Sequence, residues 1–277
     1  MTFFATPLQK RPSACLGTLA ATFCLLAAAQ ASAQVRPADA ASSGSADAAS
    51  STWGVGIGAS TVRRPYAGME SKNMAVPLLF YENRWLRVSG ATADVKLLQK
   101  EFGPQNAIGL TGRIKYEDGG YEAGDSPRLS GMADRDGSVW GGAAVTWNTG
   151  IARISGEWLS DLSSKSKGQK LQLQVDRRFG FGSFGLTPRV QAQWLDEKYV
   201  DYYFGVRPNE AMPGRAQYTG KAAATMELGV RLDYAIQPRQ MVFLDISTTS
   251  LPDEIKNSPI VGRSSMSRAT VGYIYRF

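Results

Sequence analysis

The sequence predicts an all-β fold: a transmembrane, antiparallel, up-and-down β-barrel of about twelve strands, with ten to twelve as the range. Three observations predict it. From residue 52 onward, Gly-rich segments of about ten residues alternate apolar side chains with polar or small ones, as membrane-spanning strands do. Tight connections alternate with long ones, which is typical of short periplasmic turns and long extracellular loops. Tryptophans recur near the segment ends, where a barrel has its interfacial girdles; they are Trp85, Trp140, Trp147, Trp158 and Trp194.

Residues 1–33 have the order of a secretory signal peptide. Lys10 and Arg11 precede an apolar run over residues 14–29, which ends at the small-x-small sequence ASA of residues 31–33. We expect cleavage after Ala33. A transmembrane anchor is the alternative, but the run of 16 residues is shorter than the roughly 20 residues that a helical span needs.

The amino-terminal region sets three further expectations for the mature chain. Cys15 and Cys24 both lie inside the signal segment, so the mature chain is expected to lack cysteine and disulfides. Residues 34–50 are rich in Ala, Ser and Asp and predict a flexible periplasmic linker. Removing residues 1–33 takes away two cations and no acids, which leaves a net charge of +5. So small a charge does not indicate a nucleic-acid partner.

The barrel is expected over residues 51–277. Its strands are predicted at 52–60, 74–82, 84–90, 92–99, 106–116, 138–147, 150–160, 169–178, 184–196, 221–235, 240–249 and 267–277. The third and fourth segments are short and also fit one bent strand. No segment of the mature chain approaches 18 consecutive apolar residues, so helical spans are not expected.

The last strand shows its two faces most clearly. Tyr273, Tyr275 and Phe277 share one face with Val271, and small or polar residues occupy most of the other. The three terminal aromatic residues are predicted to act as the outer-membrane insertion signal. A soluble β-sandwich has the same alternation, but the signal segment, the tryptophan girdles and this aromatic end favour the barrel.

The connections set the orientation. Tight ones are predicted at 148–150, 179–183 and 237–239, and long ones at 117–137, 197–220 and 250–266. With the carboxyl terminus in the periplasm, the long loops all fall outside the cell. An even strand number then returns the amino terminus to the periplasm, which favours twelve strands over eleven.

Catalytic chemistry has few residues to use. The chain has no histidine, so Ser/His and Asp/His arrangements are excluded, and without His or Cys a zinc site is not expected. We predict neither an enzyme nor a cofactor. Acidic groups at Asp118, Glu122 and Asp125 and at residues 134–136 are candidate Ca²⁺ ligands, although a solvated loop explains them better.

Several arginines and aromatic residues are candidate lumen or partner contacts. Those near the predicted entrance are Arg63, Arg64, Tyr66 and Arg87, and those on inward-facing strand positions are Arg113, Arg153 and Arg189. Ion pairs with Glu157 or Asp176 explain the inward arginines equally well. The aromatic stretch with Asp201, Tyr202, Tyr203, Phe204 and Arg207 is a candidate for contacting a partner or plugging the pore; an interfacial anchor is the alternative.

Five motifs carry a resemblance to a known family. They are RRPYAGM at 63–69, VPLLFYENRW at 76–85, DYYFGVRP at 201–208 with Ala211, NSPIV at 257–261 and GYIYRF at 272–277. With these motifs the mature chain resembles the MipA/OmpV outer-membrane proteins over nearly its whole length. The family usually carries Tyr-Glu-Gly in the first loop, where this sequence has Tyr66-Ala67-Gly68. An acidic role at this position is therefore not transferred.

The resemblance implies a place and a range of functions. It implies an integral outer-membrane protein in contact with lipid, lipopolysaccharide and the barrel-assembly machinery. For the family's namesake it implies a scaffold that holds a murein lytic transglycosylase near a murein synthase, and it brings no catalytic residues. A small channel for polar solutes and a surface adhesin acting through its long loops are the alternatives.

Overall fold

The alternation of the sequence becomes the alternation of two strand faces. The computed structural model describes residues 51–277, and the predicted signal segment and linker lie outside these residues. Leu171, Leu173 and Val175 are exposed on the outer face, whereas Gln172 and Gln174 between them are less accessible. Because successive Cβ atoms point to opposite faces, each strand presents an apolar side to its surroundings and a polar or small side to the interior.

Within residues 51–277 the chain forms thirteen strands and two short α-helices. They are β1 (Thr52–Arg63), β2 (Lys72–Glu82), β3 (Leu86–Ser89), β4 (Thr92–Gly103), β5 (Asn106–Glu117), β6 (Ser138–Thr149), β7 (Arg153–Asp161), β8 (Gln169–Asp176), β9 (Phe179–Phe181), β10 (Phe184–Leu195), α1 (Glu197–Phe204), β11 (Ala223–Gln237), β12 (Gln240–Ser250), α2 (Asp253–Lys256) and β13 (Ser265–Arg276).

The strands close into a ring. Each pairs antiparallel with its neighbours, and β13 pairs with β1 from Gly54↔Arg276 to Arg63↔Ser267. β8 and β9 both pair with β10, one after the other, so together they occupy one position in the wall. The result is the closed barrel of twelve antiparallel strand positions that the sequence predicts. In the part of the chain described, no helix is both long and apolar enough to cross a membrane.

One predicted connection is corrected, and one alternative left open by the sequence is decided. The segment 179–183 was expected to be a tight turn, but Phe179–Phe181 pairs with β10 and only residues 182 and 183 turn. The ladder with β10 is interrupted after Asp176 and resumes at Phe179. The third and fourth predicted segments are separate strands, β3 and β4, joined by a turn at Gly90.

The two ends of the barrel differ in construction. Short turns join the strands at one end, where the carboxyl terminus lies, and all the long connections lie at the other. Short turns are periplasmic in outer-membrane barrels and long loops are extracellular. The long connections contain α1 and α2, which the sequence did not predict.

Candidate functional site

The four longest connections at the extracellular end fold together into one structure, here called the loop cap. It comprises residues 64–71, 118–137, 196–222 and 251–264. These segments leave the ring at different places, yet their apolar side chains share one core. The core contains Tyr66, Met69, Tyr121, Leu129, Met132, Val200, Tyr203, Phe204, Val206, Leu251, Ile255 and Ile260. Connections from different places on the ring therefore meet in one core at the extracellular end.

A buried ion pair ties two segments of the loop cap together. The Arg135 guanidinium donates to both carboxylate oxygens of Glu210, at 2.9 and 3.0 Å, and both side chains are almost inaccessible. Arg135 also donates to the carbonyl oxygens of Tyr202 and Ala133. Burial alone would raise the pKa of Glu210, but backbone N–H donors of Arg207 and Ala133 and the Arg135 guanidinium outweigh it and lower the pKa. The buried charges are thus paired and hydrogen-bonded.

Helix α1 carries the predicted aromatic stretch into the loop cap. It begins after Asp196, whose side chain accepts from the Tyr199 N–H at 2.8 Å as an N-cap. Tyr203 and Phe204 on its last turn are buried in the core. Burial raises the pKa of Tyr203 above its usual range, so its hydroxyl stays neutral. Tyr203 and Phe204 therefore lie in the core of the loop cap. A role of the whole stretch in plugging the pore or contacting a partner stays a prediction.

The other predicted residues divide between the loop cap and its surface. Tyr66 is buried and donates through its hydroxyl to the Tyr203 carbonyl oxygen at 3.1 Å, while Arg64 is buried against Asp118 at 2.9 Å. Arg63 is exposed at the end of β1. The remaining predicted residues serve local structure: Asp201 accepts from the Gly220 N–H, the Tyr202 hydroxyl accepts from the Asp136 N–H, and the Arg207 N–H donates to Glu210.

The acidic residues of the second cap segment are occupied by protein contacts. Asp125 accepts from the Glu122 N–H and Asp134 from the Ala123 N–H, while Asp136 pairs with Lys165. Among residues 51–277 no group of three His, Cys, Asp or Glu side chains is placed to hold a metal ion.

The lumen wall carries ion pairs at the inward-facing arginines. Arg113 pairs with Asp94 at 2.7 Å and also with Glu157. On the other wall Arg189 pairs with Asp245 at 2.8 Å and with Glu227 at 3.1 Å. A third pair joins Arg153 and Asp176, and exposed Arg87 pairs with Glu82. The structure therefore supports the ion-pair interpretation of these arginines.

The periplasmic end carries cations beside aromatic rings, and we call this set the periplasmic rim. Arg84 lies over the Trp85 ring at 4.5 Å, Lys100 over Phe102 at 5.3 Å and Arg177 over Phe179 at 5.0 Å. Cation–π contacts of this length are attractive even at exposed sites. Its sequence signal is a cation one or two residues before an aromatic residue at strand ends, which the predictions above do not include.

The terminal aromatic residues lie where the alternation puts them. Phe277 stacks on Trp53 of the first strand with ring centroids 3.8 Å apart, and Tyr275 meets Phe277 edge-on at 4.9 Å. These contacts join the last strand to the first at the periplasmic end of the closing seam.

A closed barrel with an apolar outer band, short turns at one end and long loops at the other defines the class: an integral β-barrel of the bacterial outer membrane. Within that class the chain belongs to the family described as MltA-interacting protein MipA, whose model matches residues 55–277.

Relatives of known name agree with the family and the location. The putative outer membrane protein YiaT of Escherichia coli is 25% identical over 84% of this chain and 94% of its own length. The MltA-interacting protein of Escherichia coli is 23% identical over 81% of this chain and 90% of its own. Outer membrane protein OmpV of Vibrio cholerae is 27% identical over 55% of this chain and 60% of its own length.

Solved structures of similar architecture are also barrels. A NanC porin covers 82% of this chain and 99% of its own at 9% identity, with a TM-score of 0.37. Pseudomonas putida OprB covers 83% of this chain and 94% of its own length at 6% identity, with a TM-score of 0.40.

Proposed function

We propose that the protein is a non-catalytic scaffold of the outer membrane that holds murein-processing enzymes, a lytic transglycosylase and a murein synthase, near the membrane through its periplasmic end. The observation that carries the proposal is the loop cap at the extracellular end, which has a buried core and a buried ion pair. We infer that it closes the extracellular mouth, so the accessible periplasmic rim remains for contact with proteins of the periplasm. The name of the MltA-interacting relative supports an enzyme partner of this kind.

The periplasmic rim suits an acidic partner. Trp85 is 59% exposed and Ile151 is 70% exposed at the turns of this end, and Arg84 and Arg177 are exposed beside them. Exposed aromatic residues and arginines are the residue types that contribute most to protein interfaces. An enzyme with an acidic patch around an apolar centre would complement this surface.

The test is a binding measurement with the protein in lipid nanodiscs and a murein lytic transglycosylase from the same organism. The double variant Arg84→Glu/Arg177→Glu is expected to bind about tenfold more weakly, because roughly 1.4 kcal/mol of lost charge complementarity is tenfold in affinity. The matched control Lys221→Glu/Lys256→Glu changes the same number of exposed cations in the loop cap. Absence of binding by the unaltered protein, or equal weakening by both variants, would overturn the proposal.

A channel for polar solutes is the second candidate, and the charged inner face favours it. Ion pairs such as Arg189 with Asp245 line the wall at inward positions, as in barrels whose interior is polar. Conductance through the capped barrel decides between the two candidates.

We also propose that Tyr273, Tyr275 and Phe277 are read by the barrel-assembly machinery. Their support is the position of the terminal strand at the closing seam and its aromatic outer face. Lipid and lipopolysaccharide are the remaining partners that we propose, at the apolar outer band.

A further inference from the structure

One part of the barrel wall is incomplete on its extracellular side. Over Lys72–Leu79, β2 pairs with β1. On its other edge β2 pairs with β3 only from Phe80 to Glu82. Above that point β3 has ended, and the carbonyl oxygen of Leu79 accepts the last hydrogen bond, from the N–H of the turn residue Gly90.

β4 also lacks a part near the extracellular end of the wall. β4 begins at Thr92, which pairs with Lys115 near the end of β5. On the extracellular side of the β3–β4 hairpin the wall therefore lacks two strands, and β2 and β5 have no strand between them. We call this opening the wall gap. At the usual inter-strand spacing it is on the order of 10 Å wide.

The β2 edge at the wall gap is built to stay unpaired. Residues two apart point their backbone groups to the same side of a strand, so Asn73, Ala75 and Pro77 face the gap together with Leu79. Pro77 has no N–H to offer, and proline within a sheet is confined to edges and interruptions. The N–H groups of Asn73 and Ala75 remain available above it.

The wall gap lies at the level of the membrane. Ile57, which pairs with Pro77, is 67% exposed on the outer face, and Leu79 is 51% exposed. On the other flank of the gap Tyr116, near the end of β5, is 51% exposed. Acyl chains of the outer leaflet therefore surround the outer opening.

The inside of the wall gap is amphipathic. Met74, Val76 and Leu78 on β2 point inward and are half-buried, because their partners on β1 face the interior. These partners are Ser60, Gly58 and Gly56. Above the three β2 side chains lies a polar cavity of about 330 Å³ that reaches from Lys72 on one flank to Tyr116 on the other. Its remaining lining belongs to the loop cap and to Lys165.

We propose that the wall gap is a lateral binding site for a lipid of the outer leaflet. An acyl chain enters between β2 and β5 and lies on Met74, Val76 and Leu78. The polar head occupies the cavity beside Lys72 and accepts hydrogen bonds from the Asn73 and Ala75 N–H groups, which otherwise lack partners in a medium where unpaired backbone groups are costly. This inference goes beyond the scaffold function and does not depend on it.

The test places a photo-crosslinking amino acid, p-benzoylphenylalanine, at three positions of the full chain in native outer membranes. Val76 is the inward position at the wall gap, Gln174 is an inward position on the distant β8 wall, and Leu173 faces the lipid. Met74 serves as a second gap position if the Val76 variant does not fold, and heat-modifiability on gels reports folding in every case.

The expected result is a lipid-mass adduct at Val76 and Leu173 and none at Gln174. Absence of an adduct at Val76 in a folded protein would overturn the proposal. Equal labelling at Gln174 would also overturn it, because the lipid would then fill the lumen without using the gap. A protein-sized adduct at Val76 would assign the β2 edge to a second chain instead.

Discussion

Arg135 and Glu210 form the contact on which the loop cap depends most. Neither side chain is solvated, and every donor or acceptor of the pair faces a protein partner. Such a pair adds little to stability compared with an apolar pair, but removal of one partner leaves an unpaired buried charge.

Replacement of Glu210 by Ala is expected to open the loop cap while the barrel stays folded. The unpaired Arg135 guanidinium should cost about 3–5 kcal/mol, which exceeds what a small loop core can absorb. Limited proteolysis of the protein in nanodiscs measures this as cleavage within residues 118–137 and 196–222. Glu254→Ala removes an exposed carboxylate of the same loop cap and should leave the cleavage pattern unchanged; equal cleavage of both variants would contradict the role of the pair.

Acidification should loosen the loop cap through the same carboxyl group. Because the pKa of Glu210 is lowered on folding, its contribution to stability is present above the unfolded value of about 4.3 and is lost as the pH falls through the lower folded value. Hydrogen exchange in the loop cap, corrected for the intrinsic rate, should stay constant from neutral pH down to about 5 and rise below about 4. In Glu210→Gln this rise should be much reduced; an unchanged rise would assign the acid sensitivity to another group.

At the scale of elements, prolines and glycines mark where the wall is irregular or tight. Pro77 lies on the unpaired edge of β2, and Pro188 in β10 lies opposite the interruption between β8 and β9, where its carbonyl oxygen accepts from the Arg177 N–H. Gly54, Gly56 and Gly58 on β1 face the interior, where β13 approaches too closely for a side chain.

Gly56→Ala is expected to destabilise the barrel, because a Cβ at this position would overlap the Tyr273 carbonyl oxygen. Overpacking typically costs about 1–3 kcal/mol, and backbone is less able to move than a side chain. The midpoint of urea unfolding in lipid measures the loss. Gly180→Ala is the matched control, since a Cβ there meets nothing within 4 Å; equal midpoints for both variants would show that the closing seam is not tightly packed.

The strands could be predicted from the sequence because their signal is local. The alternation of apolar with polar or small side chains can be seen within each segment alone. All twelve predicted segments are strands, and their apolar faces point outward. Predicted strand ends differ from the structure where turn residues were apolar, as at Ile151, which belongs to the turn before β7. β9 was missed because three residues are too short for a pattern.

At the scale of the whole molecule, the loop cap could not be predicted because its contacts are not local. Arg135 and Glu210 are 75 residues apart, and Tyr66 and Tyr203 are 137 residues apart. No periodicity within a loop indicates such partners. Of the predicted aromatic stretch, Tyr203 and Phe204 lie in the core of the loop cap, and its role as a plug stays a prediction. Nothing in the sequence indicated that Glu210 and Arg135 pair beside it.

The closed mouth is the central claim, and planar-bilayer conductance of the purified protein tests it most directly. Folded, unaltered protein is expected to give no discrete conductance steps. A variant with residues 198–220 replaced by a short Gly-Ser linker is expected to give them, because the lumen beneath the loop cap is polar. Discrete, reproducible steps from the unaltered protein would contradict the claim and favour the channel. Absence of conductance steps from both the unaltered protein and the variant would also contradict the claim, since the block would then lie in the lumen and not in the loop cap.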